Sequence, residues 1–557
     1  RAAAGGAATG ASRRVRGQVS DPFPGVTVEA LDSAGKPLTR CATDDAGHFD
    51  CPVPTTTIRL RTGWLGNGNL QAGEAGQAGV GPALELADGS EAAELTLLPP
   101  AVARLRVKVR NNSGAAIPFR LSARPDGGDH DLERSFAYAD GDATFQLPPG
   151  KWQLWLHHGP RYGEHQIVRT LTPGDNATLA VDLLQAVDRS GWIAADFHVH
   201  AEQSTDSAVA NTRRLTGALA EDLQYVVATD HDFVTDYRPW LKAAGLEGKL
   251  VVAAGVEVST IRFGHFNVWP VTVKPEVSGN GAPAWLGLQA EALLDLLRDD
   301  QPGRVIQCNH PRFNSASYLD KIAFDATSTP TSLLRMDAME AVNGIGHGDT
   351  AEVLGDWMGL LQRGVRIVVT GTSDCHGLSS PIGNPRTLIW LGKERAQSGV
   401  FSAAEADAAL RAGRAIATGG PLLEVWLAEG GANEARIGGV LSGAKGKVMV
   451  HTRIQAPDWL ALGRLKVYGN AQLLLDVDLS SLPVSAGKRS ETFDAVALAG
   501  AATAADAWFV AVHEPGPASS PGATRPSWAV TNPVFYDGDG DGNWRGWAPP
   551  TLPGDKP

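Results

Sequence analysis

Trp192-Ile-Ala-Ala-Asp-Phe-His-Val-His200 opens the part of the chain that carries its chemistry. A short apolar run ends in two histidines one residue apart, and in extended backbone that spacing puts both imidazoles on one face. The same arrangement recurs downstream. Tyr225-Val-Val-Ala-Thr229 leads into Asp230-His231-Asp232, and Leu250 to Val256 leads into Glu257. His265-Phe-Asn-Val-Trp269 begins with a histidine, Val305-Ile-Gln-Cys308 runs into Asn309-His310, and Ile367-Val-Val-Thr370 into Asp374-Cys375-His376. Six of the 14 histidines stand at these strand ends, far from an even scatter. Met339-Glu-Ala-Val342 adds a further strand. Helix-like stretches at Thr212–Leu223, Ala290–Arg298, Thr350–Arg363 and Ser402–Ala412 alternate with the strands. Apolar runs alternating with helices predict β/α units, and catalytic groups of a parallel barrel gather where its strands end. The expectation for residues 190–420 is therefore a distorted (β/α)7 barrel.

The ligand types point to metal. His198, His200, Asp206, His231, Glu257, His265, His310, Asp374 and His376 mix imidazoles with carboxylates and include no thiolate, which suits an open catalytic site better than a closed structural zinc. A single histidine of this kind is more often a core residue satisfied by a carbonyl. Nine ordered groups are not explained that way. Cys308 and Cys375, beside His310 and Asp374, read as buried strand thiols.

Asp196-Phe-His198-Val-His200, Thr229-Asp-His231-Asp232, Gly255-Val-Glu257, Asn309-His310-Pro311 and Ser373-Asp374-Cys-His376 resemble, in order, the motifs of the PHP (polymerase and histidinol phosphatase) superfamily. Gly264-His265-Phe-Asn-Val-Trp269 and the closing Thr531-Asn-Pro533 look like its CehA/McbA group of metallohydrolases. The resemblance implies two or three divalent ions, zinc, manganese or iron. One would be held by His198, His200, Glu257 and Asp374. A second would share Glu257 with His265 and His310, and a third would sit on Asp206, His231 and His376. It also implies cleavage of an ester-type bond by metal-activated hydroxide. The superfamily implies a phosphoester; the CehA/McbA group implies a carbamate, carboxylic ester or amide.

Around these ligands, Arg312 and Arg386 are candidates to neutralise a phosphate or a developing oxyanion. Asp230 and Asp232 are candidates to orient His231 or move a proton. Glu340, Asn343 and His347 are expected near the mouth. Phe233, Tyr237, Trp240, Phe263, Trp269, Trp285 and Phe313 could furnish an aromatic pocket for an uncharged substrate.

The flanks have β texture. Residues 1–101 resemble a carboxypeptidase regulatory-like β-sandwich, 102–189 form a second β domain, and 421–557 a C-terminal one. His157, His158 and His165 read as surface residues. Cys41 and Cys51 are expected to form a disulfide across a hairpin. That bond would place the protein outside the cytosol, secreted or periplasmic. The first residues lack a signal segment and look like the start of a trimmed chain. Asp537, Asp539 and Asp541 alternate as in a calcium loop, yet Ala548 stands where the bidentate glutamate belongs, so a solvated turn is preferred over calcium.

Bulk numbers bound the partners. The 557 residues exceed one core, and 64 glycines with 35 prolines imply many turns. A net charge of −12 with no basic stripe argues against nucleic acid, and no apolar run reaches bilayer length. The leading expectation is a metal-dependent hydrolase of a small-molecule ester, in the first place a phosphoester, with a carbamate, carboxylic ester or amide as the alternative. The competing class is an extracellular binding protein whose β modules grip a glycan or a surface.

Overall fold

The computed structural model describes residues 12–545 apart from 21–25, 45, 57, 65–82, 88–93, 99–102, 127–133, 148, 299–302, 314–316, 323, 325–329, 345–346, 379, 431–432, 443–446, 500–504 and 518–525. Ala548 and the His347 side chain lie outside the described residues. The chain divides into two compact units. The first comprises residues 1–136, 140–156 and 165–182, and the second 137–139, 157–164 and 183–557.

The first unit is built of short, mostly antiparallel strands; side chains alternate between core and solvent in Ser12–Val19 and Ala103–Asn111. That period of two is what a sheet with one wet face requires. Ser12–Val19 pairs with His48–Pro54, and Val26–Leu31 lies between Pro37–Ala42 and Ile58–Trp64. Cys41 and Cys51 are disulfide-bonded with their Cα atoms 5.8 Å apart. The two strands they join belong to different sheets, so the bond staples two layers rather than one hairpin. A disulfide of this kind persists in an oxidising compartment.

The second unit carries the candidate ligands. The elements that bear on the site are β1 (Trp192–Asp196), α1 (Asn211–Ala220), β2 (Tyr225–Ala228), β3 (Val251–Ala254), β4 (Val256–Thr260), β5 (Gly264–Trp269), α2 (Ala290–Arg298), β6 (Val305–Cys308), β7 (Ala338–Asn343), α3 (Thr350–Gln362), β8 (Val368–Thr372), β9 (Arg386–Trp390), α4 (Ala403–Arg411), β10 (Ala415–Thr418), β11 (Leu462–Gly469), β12 (Ala507–Pro515) and β13 (Ala529–Thr531). Ser402 caps α4 through a reciprocal pair with Glu405, satisfying two donors at the helix start.

These strands do not form a (β/α)7 barrel. They fall into two mixed sheets, one running β3-β2-β1-β9-β10-β13-β12-β11 and the other β4-β5-β6-β7-β8. β1, β2 and β3 are parallel, but β9 runs against β1, and β5 runs antiparallel to both β4 and β6. Chain length explains part of this. Only Ile261, Arg262 and Phe263 join β4 to β5, which permits a hairpin, whereas a parallel crossover needs a dozen residues or more. The sheets approach each other through isolated bridges, Val199 with Cys375 and His231 with Glu257, instead of a continuous ladder. The segment after residue 421 carries a core of its own and also joins the first sheet. Its β13 pairs with β10, and the Asn532 side chain bonds Val369 and Ala415, continuing the first sheet.

Alternation along the second sheet sorts its side chains. Phe266, Val268, Ile306, Cys308, Met339 and Ala341 face a core shared with Leu293, Leu294 and Leu297 of α2 and with Val353, Trp357 and Leu360 of α3. Each of the larger aliphatic side chains among them contributes about 1.5–3 kcal/mol by burial. The residues between them, Asn267, Gln307 and Glu340, are turned to the opposite face, where the ligands gather. Among the described residues no helix is long and apolar enough to cross a membrane.

Candidate metal centre

All nine expected ligands converge. Their donor atoms form four overlapping groups, each within 4.8 Å: His200, Asp206, His231 and His376; His198, Glu257 and His310; His198, His200 and Asp374; and His231, Glu257 and His265. Glu257 is the hub. Its Oε1 stands 3.2 Å from His198 Nε2, 3.1 Å from His265 Nδ1 and 3.5 Å from His310 Nε2; its Oε2 stands 2.6 Å from His231 Nδ1 and 3.6 Å from His200 Nε2. Asp374 Oδ1 lies 3.3 Å from Nε2 of both His198 and His200. Asp206 Oδ2 is 3.1 Å from Nε2 of both His231 and His376.

Three residues here hold left-handed backbone without being glycine: Asp232 (φ 49°), His310 (φ 27°) and Asp374 (φ 48°). Such conformations persist where the surroundings over-determine them. Each is pinned by its own N–H, Asp232 to the Glu257 carbonyl, His310 to a Glu340 carboxylate oxygen and Asp374 to the His198 carbonyl. The strain re-aims side chains that strand geometry alone would point elsewhere.

The electrostatics suit cations. Burial alone would push the Glu257 carboxyl up, but His198, His231 and His265 hold it well below the usual carboxylate range. Asp374 is likewise held down by His198 and His200 against its burial. His200, fully buried, is pushed down to about 4 and keeps a free lone pair. For His231, neighbouring Asp206 and Glu257 outweigh burial and raise it to about 10. His198 Nε2 and His200 Nε2 are buried, near carboxylate oxygens, and hydrogen-bonded to none of them. Buried polar atoms without partners are rare, and divalent ions among the imidazole and carboxylate donors would satisfy both at once. The donor set therefore fits the expected metals.

The expected surrounding residues fare differently. Asp230 is turned away from the ligands, accepting from the Ala201 N–H at 2.7 Å and the Thr235 hydroxyl at 2.5 Å. It fixes the loops that carry His200 and His231. Asp232 stays at the site, its Oδ1 accepting from Trp285 Nε1 at 2.8 Å, and burial raises its carboxyl above the ordinary value. Arg312 does not face the ligand cluster. It is tied to Asp356 at 2.7 Å, Asp320 at 2.8 Å and the Phe324 carbonyl at 2.9 Å. Arg386 is buried and bonds the Glu221 carbonyl and carboxylate. Of the aromatics, Tyr237 and Trp269 are core residues, while Trp285 touches Asp232 and the Phe313 ring stands 6.2 Å from that of His310. Cys308 and Cys375 are buried free thiols.

Two expectations outside the centre also change. His157 and His158 are buried, with His158 Nδ1 3.0 Å from the Ala220 carbonyl and its ring against Tyr162. In the terminal acidic loop Asp537 is buried and accepts from the Gly540 and Gly542 N–H groups at 2.7 Å. The carboxylates that approach one another are Asp506, Asp537 and Asp539, not Asp541. Ser204, Ser259 and Asn309 were missed from sequence. They bond His200 at 3.0 Å, His231 at 2.6 Å and Glu257 at 2.9 Å, and only Asn309, beside a ligand in its motif, gave any signal.

No family model and no curated protein matches the chain. Among solved structures it is similar to the shaft pilin SpaA from Lactobacillus rhamnosus GG, at 10% identity over 32% of this chain and 99% of the pilin, with a TM-score of 0.18. It is similar to the group B streptococcus pilus 2b backbone protein at 12% identity over 31% of this chain and 81% of that one, TM-score 0.14. The Bacillus anthracis TIE protein aligns at 13% identity over 31% of this chain and 34% of its own length, TM-score 0.14. At these scores the likenesses carry no argument about fold or function. They leave the resemblance to the PHP superfamily as an expectation; the barrel it implied is overturned by the two mixed sheets described above. The chemistry proposed below rests on the side-chain cluster itself.

Proposed function

We propose that the protein is a metal-dependent hydrolase that cleaves an ester-type bond with water. The observation that carries this reading is the convergence of six imidazoles and three carboxylates around Glu257, with His198 Nε2 and His200 Nε2 buried and unbonded. Ions held by His198, His200, Asp206, His231, Glu257, His265, His310, Asp374 and His376 would supply a nucleophile near neutral pH and polarise the scissile group. Glu257, reached by five histidines, would bridge neighbouring positions. Asp232 is the residue suited to carry a proton to the leaving group, since burial favours its protonated form and Trp285 fixes its orientation.

Of the two bond classes, an uncharged carboxylic or carbamate ester is favoured. A phosphatase commonly turns arginine toward the transferred group, and Arg312 and Arg386 are both committed to carboxylates elsewhere. Trp285 and Phe313 lend the site an aromatic border. A phosphoester is the second reading, supported by the cluster itself, because several divalent ions would dominate the local field. The Cys41–Cys51 disulfide supports a secreted or periplasmic setting.

The test is metal analysis of the purified protein beside a matched panel of aryl carboxylic esters, aryl carbamates and aryl phosphates, with and without chelator. Two or three ions per chain and chelator-sensitive cleavage of the uncharged esters is the expected result. Cleavage of phosphates alone would move the assignment to the second reading. Metal without turnover would favour the binding-protein class, and absence of metal would overturn the proposal.

A further inference from the structure

Resting on that reading, we infer that Glu340 is the positioning residue of the metal centre, a buried carboxylate that holds two ligands from behind without being a ligand itself. Glu340 is 1% exposed and stands in the middle of β7. Its Oε1 lies 2.7 Å from His198 Nδ1, the ring nitrogen opposite the one that faces Glu257 and Asp374. Its Oε2 accepts the backbone N–H of His310 at 2.6 Å. One carboxylate thus reaches a ligand on the segment after β1 and another on the segment after β6.

The two contacts do different work. A carboxylate at Nδ1 fixes His198 in the tautomer whose Nε2 lone pair points into the centre, and makes that nitrogen a stronger donor. The bond to His310 N–H holds a non-glycine residue at φ 27°, a backbone conformation that would otherwise relax and carry the ring away. Glu340 is itself held by Thr372 Oγ1 at 2.7 Å, Asn343 Nδ2 at 2.7 Å and Gln307 Nε2 at 3.1 Å. The pairing of β7 with β8 shifts register between Glu340 and Val342, and such irregularities often re-aim a side chain beside a site. Through Gln307 and Asn309 the network continues to Glu257 Oε1, so the two buried carboxylates share one polar floor. Glu257 faces the donors, whereas Glu340 faces their backs.

The experiment is calorimetric titration of metal-stripped protein with Zn²⁺ and with Mn²⁺, for wild type, Glu340→Gln, His198→Ala and the double variant. Circular dichroism in chelator checks the fold of each. Glu340→Gln keeps the shape but cannot accept from both His198 and His310, and is expected to weaken ion binding about 10–100-fold. In the His198→Ala background its further effect should shrink, because part of it acts through the missing ring. Should Glu340→Gln fail to fold, Glu340→Asp keeps the charge, withdraws it by one methylene, and is expected to weaken binding in the same direction. Wild-type affinity in the folded variants would overturn the inference. So would an equal loss with and without His198, which would make Glu340 a merely structural residue. Failure of the wild-type protein itself to take up either ion would instead remove the metal-dependent reading on which this one stands.

Discussion

Buried carboxylates occupy both ends of the same strands and meet opposite fates. At the end where β2 and β4 deliver His231 and Glu257, the Glu257 carboxyl is surrounded by imidazoles and held well below its usual range. At the other end Asp407 of α4 accepts from Tyr225 OH at 3.0 Å and Trp269 Nε1 at 2.9 Å, both uncharged donors. Burial there wins over the two hydrogen bonds and pushes the carboxyl up to about 7. Equal burial therefore does not decide charge; the partners do. One end is built to keep anionic charge for a cation, and the other to fasten a helix to the sheet with a carboxyl that is close to neutral.

The contrast can be broken most severely at the cationic end. His198→Ala or Asp374→Ala should reduce turnover to the chelator-treated background while the far-ultraviolet circular dichroism is retained. Wild-type rates in either variant would mean that the convergence of donors is incidental. Glu257→Gln should have the largest effect on metal content, since the hub would lose its charge toward every group it touches. Elemental analysis after dialysis measures it, and retention of the full complement would refute a bridging role.

At the opposite end the prediction concerns pH. Asp407 has a folded value near 7 against about 3.9 in an unfolded chain, so the folded state binds the extra proton between those limits. Its contribution is fully present below about pH 4 and is lost as pH rises toward 7, on the order of 4 kcal/mol in all. Asp407→Asn should remove that loss, so the stability difference between variant and wild type should grow in the variant's favour over the window. Urea unfolding of metal-free protein from pH 4 to 8 gives the difference, and a flat one would show that Asp407 is ionised throughout.

Arg312 sharpens the comparison with the smallest expected effect on catalysis. Tied to Asp320 and Asp356, it belongs to neither end. Arg312→Ala should lower stability by about 1–3 kcal/mol through the lost charge-assisted bonds, with no comparable fall in ester turnover. A collapse in activity with stability unchanged would restore it to the site.

Much of the local structure was legible beforehand. Ala290–Arg298 matches α2 residue for residue, and the expected strands at Tyr225, Val305 and Ile367 fall within a residue or two of β2, β6 and β8. The nine donors were legible too, because a histidine or carboxylate at the end of an apolar run is an unusual pattern. What each strand pairs with was not. The Gly255 break separates β3 and β4 into different sheets, and alternating strands and helices gave no sign that β9 returns antiparallel to β1. The second shell was equally hidden. Arg312 and Glu340 carry the same kind of charge as many surface residues, and only the fold turns one toward Asp356 and the other toward His198. His157 and His158 read as surface residues because they sit on alternating strands, yet both are buried.

By itself the sequence determined the donor types, their order and the apolar runs that carry them, because these depend on neighbours within a few residues and on the two-residue period of extended backbone. Tertiary structure alone decided that the runs split into two mixed sheets, that three ligand-bearing residues take left-handed backbone, and that Glu340 stands behind His198 and His310. Those outcomes are set by contacts between segments tens to hundreds of residues apart, where burial and hydrogen-bond satisfaction are settled jointly and no local pattern records the partner.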